Sequence, residues 1–378
     1  MTTKWSRAAV AQIAGRPVAV LPLIDPADVS PVLPGFDLWD YWPLQEHDGR
    51  TAVIAGGSLQ MLLSAPVLPD PEDRHAIARI RLMHETADGW RDLGNLLPEG
   101  FSPGSREWSG SAIVNAAHDE VTLYFTAAGH RGERIPSFDQ RLFETRATLS
   151  VTDGVPRLSG WSPCIESVLA DGQVYARDMT GGGGIGTIKA FRDPAWFCDP
   201  ADGAEYLIFA ASFAASTSPW NGMVGLARRE AGRWALRPAL ITADGVNNEL
   251  ERPHIVYHQG QYYCFWSTQR KVFATDGPTG PTGLYGMVAE SIAGPWLPLN
   301  ETGLVFANPA AAPIQAYSWL VLGDLNVISF VDRPGLATDK GEVAAMREHF
   351  SGTPASPISL SLSADSGRAM CTPFGLFE

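Results

Sequence analysis

The chain has 378 residues, of which 18% are charged and 45% hydrophobic, and its formal net charge at pH 7 is −13. This balance is sufficient for a folded core and differs from that of a disordered chain. Because nucleic acids and anionic membranes attract surfaces rich in Lys and Arg, the acidic balance argues against both as partners. A neutral ligand is expected instead, and the 12 Trp and nine Tyr residues suit stacking against sugar rings.

Residues 1–34 are predicted to form an N-terminal lead-in that packs on the main domain. Gln12, Arg16 and Pro17 interrupt the apolar run near the N-terminus, so a cleavable signal peptide is not predicted. No apolar run reaches the length of a membrane span. We therefore expect a soluble protein that is either cytoplasmic or exported without a cleaved signal.

From residue 51 onward, short strand-like runs alternate with turns rich in Gly, Pro and Asp. Only two short helices are predicted, around Pro71–Ile77 and Asp339–Phe350. The predicted strands are rich in Tyr, Phe, Val and Ile, and several alternate apolar with polar residues. They include Thr51–Ala55, Leu59–Ser64, Val121–Ala127, Tyr206–Phe213, Gln261–Ser267 and Leu320–Phe330.

A weak internal repeat links three of these runs, which begin at Thr122, Tyr206 and Tyr262. Repeated sheet units with irregular spacing favour a β-propeller over a β-sandwich, because radial repetition also protects strand edges. We therefore predict an all-β fold with a β-propeller at residues 35–330. Residues 331–378 are predicted to form a C-terminal segment packed on the outside.

Three carboxylates occupy unusual positions beside Trp, Arg and Pro. Asp40 lies in the aromatic run Phe36–Leu44, Asp193 precedes Pro194, and Glu251 precedes Arg252. A buried carboxylate is costly unless it is paired or hydrogen-bonded, although Asp40 alone would suit a turn or a strand end. Because the inner strands of a propeller all face one axis, the three carboxylates could converge there.

Such a set, without a metal or cofactor signature, predicts carboxylate-only chemistry. The commonest form is glycosyl transfer with retained configuration, in which one carboxylate attacks the anomeric carbon and another protonates the leaving oxygen. Retention requires these two at roughly 5–5.5 Å. A third carboxylate would hold the sugar hydroxyls and favour the charged transition state.

Two motifs of other enzyme classes are predicted to be plain loops. Gly181–Gly186 matches GxGxxG, but no helix pattern follows it. Gly100–Gly104 matches the nucleophile elbow GxSxG, but Pro103 has no N–H group for an oxyanion hole. The four cysteines form no CxxC pair, so no zinc site is predicted. We expect neither a cofactor nor a metal.

Taken together, the motifs resemble glycoside hydrolase family 68, which contains levansucrases, inulosucrases and bacterial β-fructofuranosidases. The resemblance covers about residues 36–330, with the motifs in family order. The matching stretches are Leu38–Gln45, Trp108–Ala112, Phe191–Pro194, Glu249–His254, Thr282–Gly286 and Ala316–Leu320.

The resemblance implies a five-bladed β-propeller with an axial active-site pocket, and sucrose as the donor. By motif position, Asp40 resembles the nucleophile that forms a covalent fructosyl-enzyme. Asp193 resembles the transition-state stabiliser, and Glu251 resembles the general acid/base. The positions that line the donor pocket or orient the carboxylates are matched by Trp39, Trp108, Ser109, Arg192, Glu249 and Tyr317.

Arg252 presents a difficulty, because an adjacent guanidinium would lower the pKa of Glu251 and oppose an acid role. The difficulty disappears if Arg252 points elsewhere or if Glu249 absorbs its charge, and we expect the second.

Two positions depart from the family pattern. By the resemblance, Gln269 falls at a position near the acceptor end of the pocket where family members usually carry Arg or His. Gln keeps the hydrogen bonding of that position but removes its charge. We therefore expect hydrolysis and transfer to short sugar or alcohol acceptors over long polymer. Thr187 and Asn248 occupy positions that resemble a structural calcium site of some Gram-positive members. Neither residue is a good anionic ligand, so no calcium is predicted.

Several alternatives remain open. The enzyme could polymerise levan or inulin. It could also be a related propeller glycosidase that cleaves another fructoside or a pentoside, although Trp108–Ala112 and the Tyr317 region argue against that alternative. A catalytically inactive sugar-binding propeller or an interaction scaffold would be expected to lose one of the three carboxylates, and all three are present. No oligomeric state is predicted.

Overall fold

Short strands dominate the computed structural model, which describes residues 2–177, 188–338, 347–363 and 367–373. The N-terminal segment contains β1 (Thr3–Lys4), α1 (Arg7–Ala11) and two 3-10 helices, Gln12–Gly15 and Pro26–Asp28. Frequent Gly and Pro residues end the strands after a few residues and form turns between them. Consecutive strands therefore pair mostly in antiparallel sheets.

The strands that follow form five successive blades. The first blade contains β2 (Phe36–Gln45), β3 (Val53–Ile54), β4 (Gly57–Pro66), β5 (Arg79–Thr86) and β6 (Gly89–Asn95). The second contains β7 (Arg106–Val114), β8 (Glu120–Ala128), β9 (Gln140–Thr152), β10 (Val155–Ser159) and β11 (Ile165–Val168). The third contains β12 (Phe191–Cys198), β13 (Glu205–Ser212), β14 (Gly222–Glu230) and β15 (Arg233–Thr242).

The last two blades complete the propeller. The fourth contains β16 (Glu251–His258), β17 (Gln261–Thr268), β18 (Gly283–Ala289), β19 (Leu297–Pro298) and β20 (Leu304–Ala307). The fifth contains β21 (Ala316–Val321), β22 (Asn326–Val331), β23 (Thr353–Pro354), β24 (Ile358–Ser363) and β25 (Arg368–Pro373). Further 3-10 helices lie at Pro71–Ala76, Arg270–Val272, Leu299–Glu301 and Arg347–His349.

The first strands of the blades close a ring. In chain order β2, β7, β12, β16 and β21 each contact the next, and β21 contacts β2. The first two blades are also hydrogen-bonded to each other, because the end of β2 pairs in parallel with β7 at Leu44 and Gln45. The predicted all-β, five-bladed β-propeller is therefore confirmed, and the carboxylate-bearing runs form its inner strands.

The weak repeat of the sequence has a structural origin. The runs beginning at Thr122, Tyr206 and Tyr262 lie in β8, β13 and β17, which are the second strands of three successive blades. These strands are buried because they are sandwiched between neighbouring blades, so they select the same aromatic and aliphatic residues.

The terminal segments pack against the blades. β1 extends the third blade beside β15, and the Trp5 indole is fully buried against Trp266 and Tyr285, with ring centroids 5.4 and 5.1 Å away. At the other end, β24 and β25 form the outer part of the fifth blade, so the propeller continues beyond the boundary predicted at residue 330.

Local predictions differ from the structure at two places and agree with it at a third. Leu320–Phe330 is not one strand, because the chain turns between β21 and β22. Thr51–Ala55 supplies only the two residues of β3. Gly100–Gly104 forms a turn before β7 rather than an elbow before a helix, as predicted.

Two predictions fall wholly or partly outside the described residues. Gly181–Gly186 lies outside them, as does most of the helix predicted at Asp339–Phe350. Within the described parts of the chain, no helix is long and apolar enough to cross a membrane.

Candidate active site

Each of the five inner strands breaks its pairing register at one point, and most of the predicted site residues lie at these breaks. Glu249 instead precedes β16, and Gln269 follows β17. The breaks occur between Leu38 and Tyr41, Trp108 and Gly110, Arg192 and Ala195, Glu251 and His254, and Tyr317 and Leu320. A β-bulge re-aims side chains relative to the regular pleat. Five bulges on five neighbouring strands therefore assemble one site from distant parts of the chain.

The backbone at several of these bulges is unusual. Asp193, Arg252 and Ser318 have positive φ angles of 61, 48 and 62°. Non-glycine residues rarely adopt this conformation, and it persists where the surroundings hold it. Gly110 leaves no room for a side chain, because a Cβ atom there would collide with the carbonyl of Tyr124. The bulge beside Ser109 thus requires glycine.

Arg192 is the centre of the charged cluster. Its buried guanidinium lies 2.8 Å from Glu251, 3.6 Å from Glu249 and 3.7 Å from Asp193. Burial alone would lower the pKa of Arg192, but these three carboxylates outweigh burial and raise it. Arg192 is therefore a permanent cation that holds acidic groups from the third and fourth blades together.

Asp193 is buried and held by two backbone interactions. Its own N–H donates to Thr126 Oγ1 at 2.9 Å, and its carboxylate accepts from the N–H of Arg252 at 3.1 Å. Burial raises the pKa of Asp193 to about 7, and the charges of Glu251 and Asp40 add to this, whereas Arg192 opposes it.

Glu249 has a similar environment. Burial and the neighbouring Glu251 raise its pKa to about 7, while Arg192 and a hydrogen bond from Asn248 oppose the shift. The Asn248 amide donates to Glu249 at 3.0 Å, and the Glu249 N–H donates to Asn247 at 2.8 Å. Burial is thus the main reason why the pKa of both Asp193 and Glu249 is raised, and repulsion by neighbouring carboxylates adds to it.

Glu251 has both carboxylate oxygens engaged. One accepts from Arg192 at 2.8 Å, and the other accepts a short hydrogen bond from the Tyr317 hydroxyl. Burial and the Glu251 charge raise the pKa of Tyr317, so the phenol stays protonated and acts as a donor. The Glu251 side chain is nevertheless 20% exposed and open to a ligand.

Arg252 does not point at Glu251. Its guanidinium donates to Tyr41 O at 2.7 Å and to the carbonyl and hydroxyl oxygens of Ser318 at 2.9 and 3.1 Å. The expectation that Glu249 absorbs the Arg252 charge is therefore wrong, since Glu249 faces Arg192 instead. Arg252 links the first, fourth and fifth blades.

Asp40 stands apart from the arginine cluster. It is half-buried on β2, and Ser109 Oγ of the second blade donates to its Oδ2 at 2.5 Å. Thr126 ties this corner to Asp193, because its hydroxyl donates to the carbonyl of Ser109 at 3.0 Å while accepting from the Asp193 N–H. Asp40 and Glu251 thus have different partners, which suits different roles.

Two indoles flank the same region. Trp39 is buried with its ring edge-on to His75 at 5.8 Å, and Trp108 is half-buried with its N–H 3.4 Å from the carbonyl of His75. The 3-10 helix Pro71–Ala76 therefore lies against both aromatic rings. Gln269 follows β17 and is half-exposed at the start of the next 3-10 helix.

Two further residues support the site: Gln140, which the sequence did not indicate, and His254, which ends the Glu249–His254 motif. Gln140 accepts from the Phe191 N–H at 3.1 Å and from the Arg192 guanidinium at 3.4 Å. His254 donates to the carbonyl of Arg252 at 2.8 Å and accepts from the Val321 N–H at 2.9 Å, and burial lowers its pKa to about 4. Gln140 carries no motif, and only its position beside Arg192 reveals its role.

The predicted absence of calcium rests on Thr187, which lies outside the described residues, and on Asn248. The side-chain oxygen of Asn248 accepts a hydrogen bond from the Lys189 ammonium at 2.8 Å. In the described ranges, no group of three or more His, Cys, Asp or Glu side chains is arranged to hold a metal ion.

A five-bladed propeller whose inner strands present paired carboxylates beside Trp and Arg defines an enzyme that cleaves or transfers glycosides. The family model for glycoside hydrolase family 68, described as Levansucrase/Invertase, matches residues 1–232 and 216–369. The chain belongs to this family.

Individual relatives agree with this assignment. A levansucrase of Pseudomonas savastanoi pv. glycinea is 30% identical over 374 residues, which cover 87% of this chain and 86% of the relative. The inulosucrase of Halalkalicoccus jeotgali, solved bound to kestose, is 34% identical, with a TM-score of 0.88 over 99% of this chain and 96% of its own. The levansucrase of Gluconacetobacter diazotrophicus, at 22% identity, has the same fold, with a TM-score of 0.81 over 98% of this chain and 90% of its own.

Proposed function

We propose that this protein cleaves sucrose with retention of configuration, through a covalent fructosyl-enzyme, and passes the fructosyl group to water or to short sugar or alcohol acceptors. The observation that supports the proposal is that the carboxylates of Asp40 and Glu251 have different hydrogen-bond partners. Asp40 interacts with a neutral hydroxyl, whereas Glu251 lies between a guanidinium and a phenol. Retaining glycoside transfer requires two carboxylates with distinct tasks.

In the first step, Asp40 attacks the anomeric carbon of the fructosyl unit. The Ser109 hydroxyl holds one Asp40 oxygen, which leaves the other free to form the bond. Glu251 gives its proton to the oxygen that joins fructose to glucose, and glucose departs. Glu251 becomes negative as the bond breaks, so Arg192 and Tyr317 bind it more strongly in the transition state than before.

Asp193 is assigned to the fructosyl hydroxyls. Its backbone N–H donates to Thr126, and its buried carboxylate accepts from the N–H of Arg252, so the carboxyl group is held in one position. Such a group stabilises positive charge that develops on the sugar ring.

In the second step, a water molecule or an acceptor hydroxyl attacks the fructosyl–Asp40 ester. Glu251, now a carboxylate, takes the proton from the attacking hydroxyl. Asp40 leaves and is regenerated. Two displacements at one carbon restore the original configuration.

Incubation of the purified protein with sucrose, with glucose and fructose counted separately, tests the proposal. Equal amounts indicate hydrolysis, whereas excess glucose indicates transfer, and the size of the product distinguishes short transfer from polymer. An NMR spectrum recorded before mutarotation should show the retained anomer of fructose. Failure to release glucose would refute the proposal and favour another fructoside as substrate.

Replacement of Gln269 with Arg is expected to shift the products toward transfer. A charged donor makes a stronger hydrogen bond to an acceptor sugar than a neutral amide does, by about 1 kcal/mol, which is about fivefold in the ratio of transfer to hydrolysis. The measurement is that ratio at high sucrose. Gln12→Arg, on the exposed N-terminal segment, controls for added charge. High-mass polymer from the unmodified protein would contradict the preference for short acceptors.

A further inference from the structure

The Lys189 ammonium is enclosed by three oxygen atoms from three parts of the chain. It donates to the carbonyl of Pro219 at 2.5 Å and to the side-chain oxygens of Asn221 and Asn248 at 2.8 Å each. An ammonium has three N–H donors, so all of them are satisfied. Such a set of neutral oxygens, gathered around one positive charge, resembles the inner shell of a cation site.

The two asparagines are themselves fixed. Asn221 is buried and donates to the carbonyl of Phe213 at 2.8 Å, and Asn248 is fully buried and donates to the carbonyl of Ile188 at 2.9 Å. Because both amides have defined orientations, their oxygens face the ammonium permanently. Removing the charge would leave these oxygens buried without a donor, which is costly.

Lys189 is connected to Arg192 by two routes. Through its side chain it holds Asn248, whose amide donates to Glu249, and Glu249 lies 3.6 Å from Arg192. Through its backbone carbonyl it accepts from Gln140 at 2.9 Å, and Gln140 in turn accepts from Arg192 at 3.4 Å. Both routes end at the cation that pairs with Glu251.

We propose that Lys189 is a positioning residue for the fructosyl-transfer site, in which its ammonium serves as a built-in cation that fixes Asn248 and Glu249 and thereby orients Arg192 on Glu251. This inference rests on the proposed function for its kinetic consequence. Its structural part, the coupling of Lys189 to Glu249, stands independently of the substrate.

The coupling has an electrostatic signature. The charged groups that face Glu249 are Arg192, Glu251, Lys271 and Lys189. Burial lowers the pKa of Lys189 and the Glu249 charge raises it, so the two groups interact. Loss of the ammonium removes a positive neighbour from Glu249, and the pKa of Glu249, already about 7, must rise further.

Lys189→Met is the first test, because methionine keeps the length of the stem and removes the charge. Its kcat on sucrose is expected to fall by about tenfold, as for other groups that orient an active-site residue, with a smaller change in KM. Its pH–rate profile is expected to shift toward higher pH. Lys4→Met, on the exposed edge strand β1, is the matched control and should behave as the wild type.

Chemical rescue separates positioning from a general loss of packing. Lys189→Ala leaves a cavity lined by the same three oxygens, and added n-propylammonium can enter it with three N–H donors. Tetramethylammonium at the same concentration has the charge but no N–H donor. Recovery of kcat with the first cation and not with the second is the expected result.

The Glu249 carboxyl resonance provides a readout that needs no substrate. In ¹³C-glutamate-labelled protein, assigned with Glu249→Gln, the pKa of Glu249 should rise in Lys189→Met. An unchanged titration would overturn the coupling, whether or not sucrose is cleaved. Unchanged kcat and pH profile, or lost activity that n-propylammonium does not restore, would overturn the positioning role. Absence of sucrose cleavage by the wild type would refute only the proposed function.

Discussion

Asp40→Asn is expected to lower the turnover of sucrose by about 10⁴-fold or more, which corresponds to about 5.4 kcal/mol of transition-state stabilisation. The amide has the same shape and still accepts the hydrogen bond that Ser109 donates at 2.5 Å. It cannot form an ester with the anomeric carbon, so both steps of the reaction lose their covalent intermediate. The measurement is the initial rate of glucose release.

Controls distinguish lost chemistry from lost structure. Asp40 is half-buried and its pairing strand remains intact, so the Asp40→Asn protein should unfold at nearly the wild-type temperature. Ser109→Ala removes only the orienting hydroxyl and should cost much less, about tenfold, because the nucleophile remains. An Asp40→Asn variant that retained more than a hundredth of wild-type turnover would exclude Asp40 as the nucleophile.

The fold was predictable because composition and turn residues limit the chain to short strands, and because the repeated runs mark equivalent strands of successive blades. The outer part of the fifth blade was not predictable. Its strands β23, β24 and β25 are short and follow β22 after a long connection; β23 and β24 pair with β22, and β25 pairs with β24. No local pattern distinguishes such a strand from a segment packed on the outside.

The site was partly predictable for a physical reason that the structure supplies. Pro194 and Pro253 lie inside the register breaks of β12 and β16. Proline cannot donate to a strand ladder, so it is tolerated where a bulge has already interrupted the ladder. The proximity of Pro to Asp193 and Glu251, visible in the sequence, thus marks the bulges that turn these carboxylates toward the site.

The direction of the Arg252 side chain and the role of Gln140 follow only from the three-dimensional structure. A guanidinium beside Glu251 in sequence can pair with it or turn away, and the positive φ of Arg252 turns it toward Ser318 and Tyr41. Gln140 meets Arg192 only because the second and third blades are neighbours. Contacts between blades form only when the ring closes, so they cannot be predicted from the sequence of a single blade.

Glu251→Gln is expected to discriminate between leaving groups, which Asp40→Asn should not do. The amide keeps hydrogen-bonding capacity toward Arg192 and Tyr317 but has no proton to give to the glucosyl oxygen. Sucrose cleavage should therefore fall by about 10³-fold, within the range for loss of a general acid. Cleavage of p-nitrophenyl β-fructofuranoside should fall much less in its first step, because nitrophenolate leaves without protonation.

The second step supplies an independent check on Glu251. With the activated substrate, the Glu251→Gln enzyme should release a burst of nitrophenol and then stall, because water lacks a general base. The stalled protein should carry the mass of one fructosyl group on Asp40. Azide, which needs no deprotonation, should attack that ester and restore turnover as fructosyl azide. Equal losses on sucrose and on the activated substrate, with no burst and no effect of azide, would exclude Glu251 as the acid/base. Glu249 would then be the alternative proton donor, because it neighbours Glu251 and its pKa is raised to about 7.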